Sequence, residues 1–187
     1  MKQQTFHNQR GMSLIELVAG LAIAAAVIVG VLSFFQSTSG TQKAMQMSTD
    51  MNALRAGMSN LHRGRYDPIN TNLNEVLASA GQVPTTINVD DSASPYVFTH
   101  TLNGNVTVTT GADPSWYYIT YDTLPKDACI SLLTSSGSWP RVKVDAAAPT
   151  GPGEALSATV LQGPASGAAA TTACASADSN TIHFVSN

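Results

Sequence analysis

The apolar positions of this chain fall into three periodic regimes. Residues 17–35 are nineteen positions without a charge, which at about 1.5 Å per residue match a hydrocarbon core of about 30 Å. The polar residues 37–40 then read as a break or a hinge. Beyond them Ala44, Met47, Met51, Leu54, Met58 and Leu61 step by three and four, tracing one face of an amphipathic helix. The methionines read as core, because unbranched thioethers fill irregular gaps. One helix from about residue 13 to about residue 63 would run roughly 75 Å, too long to be buried inside one small head.

The period changes to two in the second half. Residues 96–101 and 106–110 flank Asn103-Gly104 as a hairpin, and 116–121 supply a third strand. Pro125 opens a helix to about Ser136, closed by Gly137, with Cys129, Leu132 and Leu133 on its inner side. Residues 141–144, 158–161 and 181–185 read as further strands, and the Ala/Pro/Gly-rich stretches 146–153 and 163–172 as surface loops. Between the long helix and the first strand, Gly64 and Pro68 act as stop signals. Residues 72–81 follow as a short helix, with Asn72 as cap, Glu75 three residues on, and Gly81 at its close. The pattern predicts an α+β fold in which the second half of a long N-terminal helix packs on an antiparallel β-sheet head.

Charge orients the chain. Lys2 and Arg10 precede the apolar run and no basic residue follows until Lys43, so the N-terminus stays cytoplasmic and the bulk is exported. A cleaved secretory signal peptide ending at Ala24-Ala25-Ala26 is the competing reading, but apolar residues continue past that site to Phe35. Only 11% of residues are charged, in keeping with an exported, mildly polar surface. Gly20 and Ala24, and separately Ala22, Ala26 and Gly30, recur every four residues, a spacing shared by close-packed helices and by ordinary membrane spans.

Glu16 is the exception within the apolar region. A carboxylate at the bilayer centre costs about 2.5–3.5 kcal/mol, so it either snorkels to the headgroups or has a partner. Its neighbours favour the second reading. A basic leader ending in Gly11, the apolar Met12, Glu16 five residues into the chain that follows, and a long apolar helix resemble the N-terminus of a type IV prepilin. The resemblance implies cleavage between Gly11 and Met12 by a membrane prepilin peptidase, N-methylation of Met12, and pairing of Glu16 with the N-terminal amine of a neighbouring subunit. A buried carboxylate is tolerable when a close cation neutralises it. Many members of that family carry a proline in this span. None stands here, and Gly20 and Gly30 are the positions that permit local unwinding.

Removing residues 1–11 leaves 176, room for one membrane-anchored domain: a helix over 12–36 and a head over 37–187 that includes the amphipathic half of the long helix. Lys2 and Arg10 leave with the leader. Seven basic and twelve acidic side chains remain, a net charge of −5, which is no nucleic-acid surface. Cys129 and Cys174 are the two cysteines, and in an oxidising compartment an even count reads as one disulfide. A metal pair or two free thiols is the alternative, and no Cys-x-x-Cys or histidine cluster supports a zinc site. A helix bearing the first cysteine, then a strand and a late second cysteine, resembles the type IVb pilins. By that resemblance the 72–81 segment lines a contact between subunits; the surface loops 146–153 and 163–172 make the stretch between the cysteines the expected displayed surface.

Motifs for nucleotide, zinc-protease or serine-hydrolase chemistry are missing, so no catalytic residue, cofactor or metal is expected. His7, His62, His100 and His183 are scattered, Asp90-Asp91 reads as a solvated turn rather than a calcium loop, and the sequon at Asn105 falls in a strand. The expectation is a structural subunit of a type IV filament for adhesion, aggregation or conjugation. It would be held in the bacterial inner membrane as a precursor, then polymerise with itself into an extracellular pilus. The resemblance implies a prepilin peptidase, an assembly ATPase, an inner-membrane platform protein and a secretin as partners. A minor pilin or a type II secretion pseudopilin shares residues 11–35, and a single-span membrane-anchored periplasmic binding protein is the reading from another class.

Overall fold

The computed structural model of the chain describes residues 14–63 and 65–187, with side chains described for all of these but 32–39. Helix α1 is Leu14–His62, and it enters two compact units, one ending at Thr38 and one comprising Ser39–Asn187. The helical assignment runs through the polar 37–40 segment, where the sequence suggests a break. Within the first unit, Leu14–Val31 is apolar enough to cross a membrane and none of it is buried within the subunit.

In the second unit the predicted stripe is core. Ala44, Met47, Met51, Leu54 and Met58 are all fully buried. Leu61 departs from the expectation and is 37% exposed. The reason lies one turn on: α1 ends at His62, Arg63 takes a positive φ of 47°, and the chain turns back so that Tyr66 buries itself against Tyr117, their rings 4.7 Å apart. Tyr66 closes the end of the core that the spacing assigns to Leu61.

Residues 70–73 then run beside the strand β3 (Asn105–Thr110), with Leu73 N–H donating to Val108 O at 2.8 Å and Thr110 N–H to Thr71 O at 3.0 Å. Asn72 bridges Thr109 there, so helix α2 starts two residues later, at Asn74–Ser79. Asn72 is therefore not the cap. Its side chain instead accepts from Asn74 N–H at 2.8 Å in a local turn, and Leu73 occupies the cap position with no side-chain bond. The predicted close at Gly81 holds: with φ +66° its N–H donates to Ala78 O, and Gln82 N–H donates to Leu77 O at 2.9 Å, a paired C-terminal motif that needs a left-handed residue.

The remaining strands are β1 (Asn88–Asp90), β2 (Val97–Thr99), β4 (Tyr117–Leu124), β5 (Arg141–Val144), β6 (Val160–Leu161) and β7 (Asn180–Ser186). They form one seven-stranded sheet with every pairing antiparallel, in the order β1-β2-β3-β4-β7-β5-β6. β7 thus enters the middle of the sheet, Ile119 opposite Phe184 on one side and Val142 opposite Phe184 on the other. Alternate residues Val106, Val108, Ile119, Tyr121, Ile182 and Phe184 are buried in the cluster that holds the α1 stripe. Helix α3 (Lys126–Ser135) begins after Pro125, as the sequence predicts, and buries Cys129, Leu132 and Leu133.

Two elements differ from expectation. Residues 163–172 are not all loop: Gly167–Ala173 is helix α4, started by Ser166, whose Oγ accepts from Ala169 N–H at 3.3 Å. An alanine run has the highest helix propensity available, and packing of Ala170 and Ala173 in the core overrides the loop-like composition around it. The hairpin exists, but residues 100–104 form a five-residue connection in place of a tight two-residue turn. There Asn103 takes the positive φ of 63°, while Gly104 is required by close approach, since a Cβ would collide with Asp122 O and His100 Nε2.

His100 closes that connection. Its Nε2 lies 3.0 Å from Asp122 O, an acceptor only, so it carries the proton; its Nδ1 accepts from Leu102 N–H at 3.1 Å. Burial pushes the ring's pKa below its ordinary 6.5, outweighing the carbonyl and charge of Asp122. The neutral ring is the folded form. Its stabilisation is complete above the unfolded pKa and is lost as pH falls through the folded one.

Two outcomes follow from this packing. Met51→Ala should lower unfolding stability by about 2–5 kcal/mol in chemical denaturation, while Leu61→Ala should cost less than about 1 kcal/mol. The thermal midpoint should fall as pH drops from about 7 to about 5, and His100→Gln should shrink that fall; an unchanged profile in the variant would remove His100 as a contributor.

Candidate functional site

The residues that the sequence singles out fall in two places. Gly11 and Met12, the expected cleavage and methylation positions, lie outside the described residues. Glu16 stands in the first turn of α1, flanked by Leu14 at 83%, Ile15 at 77%, Leu17 at 52% and Val18 at 54% exposure. An apolar surface of that extent is stable only when lipid or protein covers it.

The second place is the region between the cysteines. Cys129 on α3 and Cys174 at the end of α4 form a disulfide closing 45 residues, with their Cα atoms 6.0 Å apart. The bridge ties α3 to α4, and the segment it closes carries β5 and β6, which form one edge of the sheet. The predicted pairing is therefore formed. Within the closed loop, residues 145–154 leave β5 without regular structure, and Asp145 N–H donates to Thr181 O at 3.1 Å. Lys143 Nζ pairs with Glu154 Oε1 at 3.0 Å and donates to Ala148 O at 3.2 Å. Arg141 Nε donates to Glu154 O at 2.7 Å, and Thr150 N–H donates to Glu154 Oε2 at 2.9 Å. Burial pushes the Glu154 carboxyl up, but donation from Thr150 and Lys143 outweighs it and holds the group below the usual carboxylate range.

His183 sits beside this arrangement on β7, opposite Lys143 on β5 and Thr120 on β4. Its Nε2 donates to Asp145 O at 2.9 Å, and its Nδ1 is 2.8 Å from Thr120 Oγ1. Sequence reading assigned this histidine only to a strand. Its alternation hints at the outer face, but the loop that covers it has no local signal.

Asn74 is a further residue that sequence reasoning missed. Its amide reaches Tyr96 O at 3.1 Å, Val106 O at 3.0 Å and Val108 N at 3.0 Å, stitching the gap along β3 between the end of β2 and residues 70–73. Asp50 is a second: buried on α1, it accepts from Thr86 Oγ1 at 2.6 Å and Gln46 Nε2 at 3.0 Å. Asp90 accepts from Ser92 in a turn, as the solvated-turn reading expects, and Asn105 of the sequon is tied to Asp122. Among the described residues no group of three or more His, Cys, Asp or Glu is placed to hold a metal ion.

A helix running into an antiparallel sheet, with a disulfide-closed segment at the sheet's far edge, is the architecture of the type IVb pilins. The crystal structure of a type IVb pilin from Salmonella typhi matches with a TM-score of 0.55 at 18% identity, over 73% of this chain and 95% of that one. That of TcpA, a type IV pilin from Vibrio cholerae El Tor biotype, matches with a TM-score of 0.57 at 20% identity, over 78% and 99%. The family model described as PilS N terminal matches residues 41–187, and the chain belongs to that family. The model of the prokaryotic N-terminal methylation motif matches residues 6–32. Two curated relatives, each the major structural subunit of bundle-forming pilus, from Escherichia coli O127:H6 (strain E2348/69 / EPEC) and Escherichia coli O111:H-, are 28% identical over 136 residues. That alignment covers 67% of this chain and 64% of each relative's length.

Loss of the bridge should weaken the head. Cys129→Ser is expected to cost about 4 kcal/mol by loop-closure entropy, read as a lower denaturation midpoint under oxidising conditions that reductant no longer changes. An equal midpoint for both proteins would show that the bridge contributes nothing.

Proposed function

We propose that this chain is a structural subunit of a type IVb pilus, trimmed after Gly11, methylated at Met12 and polymerised with copies of itself through the N-terminal part of α1. The observation that carries the reading is the uncovered apolar helix Leu14–Val31 with Glu16 in its first turn, within a match to the N-terminal methylation motif. In the filament the apolar residues of neighbouring helices replace lipid around one another. The Met12 amine of one subunit then neutralises the Glu16 carboxylate of the next. An arriving subunit that leaves Glu16 unpaired buries a lone charge, and a misplaced subunit is rejected by the same cost.

Before assembly the precursor resides in the bacterial inner membrane with its head exported, and afterwards in an extracellular filament. Energy for extraction from the membrane comes from an assembly ATPase. A prepilin peptidase, an inner-membrane platform protein and a secretin complete the machine, and the subunit contributes structure rather than catalysis. The major-subunit reading is favoured over the minor pilin or pseudopilin by the relatives, which carry the name of a major structural subunit.

Intact mass and N-terminal sequencing of the protein from its own host test the processing step. A chain beginning at methylated Met12 supports the proposal, whereas a retained leader returns the membrane-anchored binding protein to the front. Glu16→Ala should be cleaved normally yet yield at least about tenfold fewer filaments by shearing and immunoblot, since tenfold corresponds to only about 1.4 kcal/mol per assembly step. Filaments at the normal level would end the pairing idea.

A further inference from the structure

The loop 145–154 covers a small set of charges that the filament reading does not use. His183 is 4% exposed and Lys143 is 8% exposed, and they are cross-strand partners on adjacent strands. A neutral ring tolerates that neighbour, while an imidazolium would sit beside an ammonium out of water. The groups facing the ring from every side are known: Lys143 on β5, Thr120 and the Tyr118 ring on β4, and Asp145 and Glu154 at the two ends of the loop. Glu154 is already engaged by Lys143 and by Thr150, so it is held as partner to one cation before a second arrives.

We propose that residues 145–154 are an acid-released strap, which leaves the outer face of β5 and β7 when His183 takes a second proton, while the sheet, α1 and the disulfide stay in place. The state that forms on acidification is the cheapest one that hydrates the ring. Unfolding the head achieves this only by exposing the whole core. Lifting the strap instead breaks one ion pair and a few hydrogen bonds, among them Asp145 N–H to Thr181 O at the end of the β5–β7 ladder, and it removes no strand from the sheet. Gly151 is buried near Trp116, where a Cβ would come within 4.0 Å of the indole, and its φ of +152° is one that a side chain would strain.

The direction agrees with the electrostatics. Burial lowers the His183 pKa from its ordinary 6.5, reinforced by Lys143 and opposed by the Asp145 carbonyl and the charges of Asp145 and Glu154. A depressed pKa in the closed state means that closure is favoured above the ordinary pKa and weakens as pH falls through the depressed one. His100 responds to acid with the same sign but lies in the 100–104 connection, so a probe with regional resolution separates the two.

The experiment is amide hydrogen exchange on the full chain in detergent at about pH 7.5 and about pH 5, corrected for the intrinsic pH dependence, with the His183 Cε1 proton titrated by NMR alongside. Peptides covering residues 145–154 should exchange at least about threefold faster at the lower pH, while those of β3 and β4 stay protected. In His183→Gln, which keeps a donor for Asp145 O but cannot be charged, the strap should exchange equally at both values. Equal strap protection in the native chain at both values would overturn the proposal, as would the same acid response in His183→Gln. Loss of protection shared with β3 and β4 would also overturn it. Should His183→Gln fail to fold, the native chain decides: a strap-opening midpoint that coincides with the His183 titration supports the strap, and one that differs from it overturns it.

Discussion

The head is held on one face of α1. Ala44, Met47, Met51, Leu54 and Met58 have no exposed surface, and the sheet residues Val106, Val108, Ile119, Tyr121, Ile182 and Phe184 belong to the same cluster. At about 1.5–3 kcal/mol for each large side chain, this layer is comparable with the entire net stability of an ordinary domain. Other features adapt to it. Tyr66 turns back to cap its end, Asp50 enters the interior only because Thr86 and Gln46 donate to it, and the Cys129 helix packs its inner side into the same cluster.

One helix therefore answers to two environments by composition alone. Leu14–Val31 carries apolar residues on every side and no burial within the subunit, the pattern of an element that must meet lipid or other copies of itself. The later part has a single apolar stripe and polar residues elsewhere, the pattern of an element with a partner in its own chain. The change of pattern lies close to the boundary between the two compact units at Thr38.

Much of this was legible in the residues. The methionine stripe, the hairpin, α3 behind Pro125 and the pairing of Cys129 with Cys174 each rest on local periodicity, a turn residue or cysteine parity, and each is present. What was not legible depends on how segments pack rather than on a local pattern. Leu61 continues the stripe by spacing but loses its place to Tyr66, a residue beyond the helix end. Asn72 looks like a cap and is diverted by Thr109, and α4 hides in a composition that reads as loop although Ser166 stands ready to start it. β1 was too short to register, and Asp50, Asn74 and the Lys143–Glu154 pair carry no motif at all.

The placement of β7 bears on how such a head comes to exist. Residues 180–186 fill the slot between β4, at 117–124, and β5, at 141–144, and Cys174 lies just ahead of them. If the head is exported in chain order behind a cytoplasmic N-terminus, β4 and β5 reach the far side before β7, with raw edges facing each other across an empty lane. Such edges invite pairing with the wrong chain. Both the lane and the covalent staple are completed by the same short arrival, so a head exported in that order would pass from sticky to sealed in one step rather than by degrees.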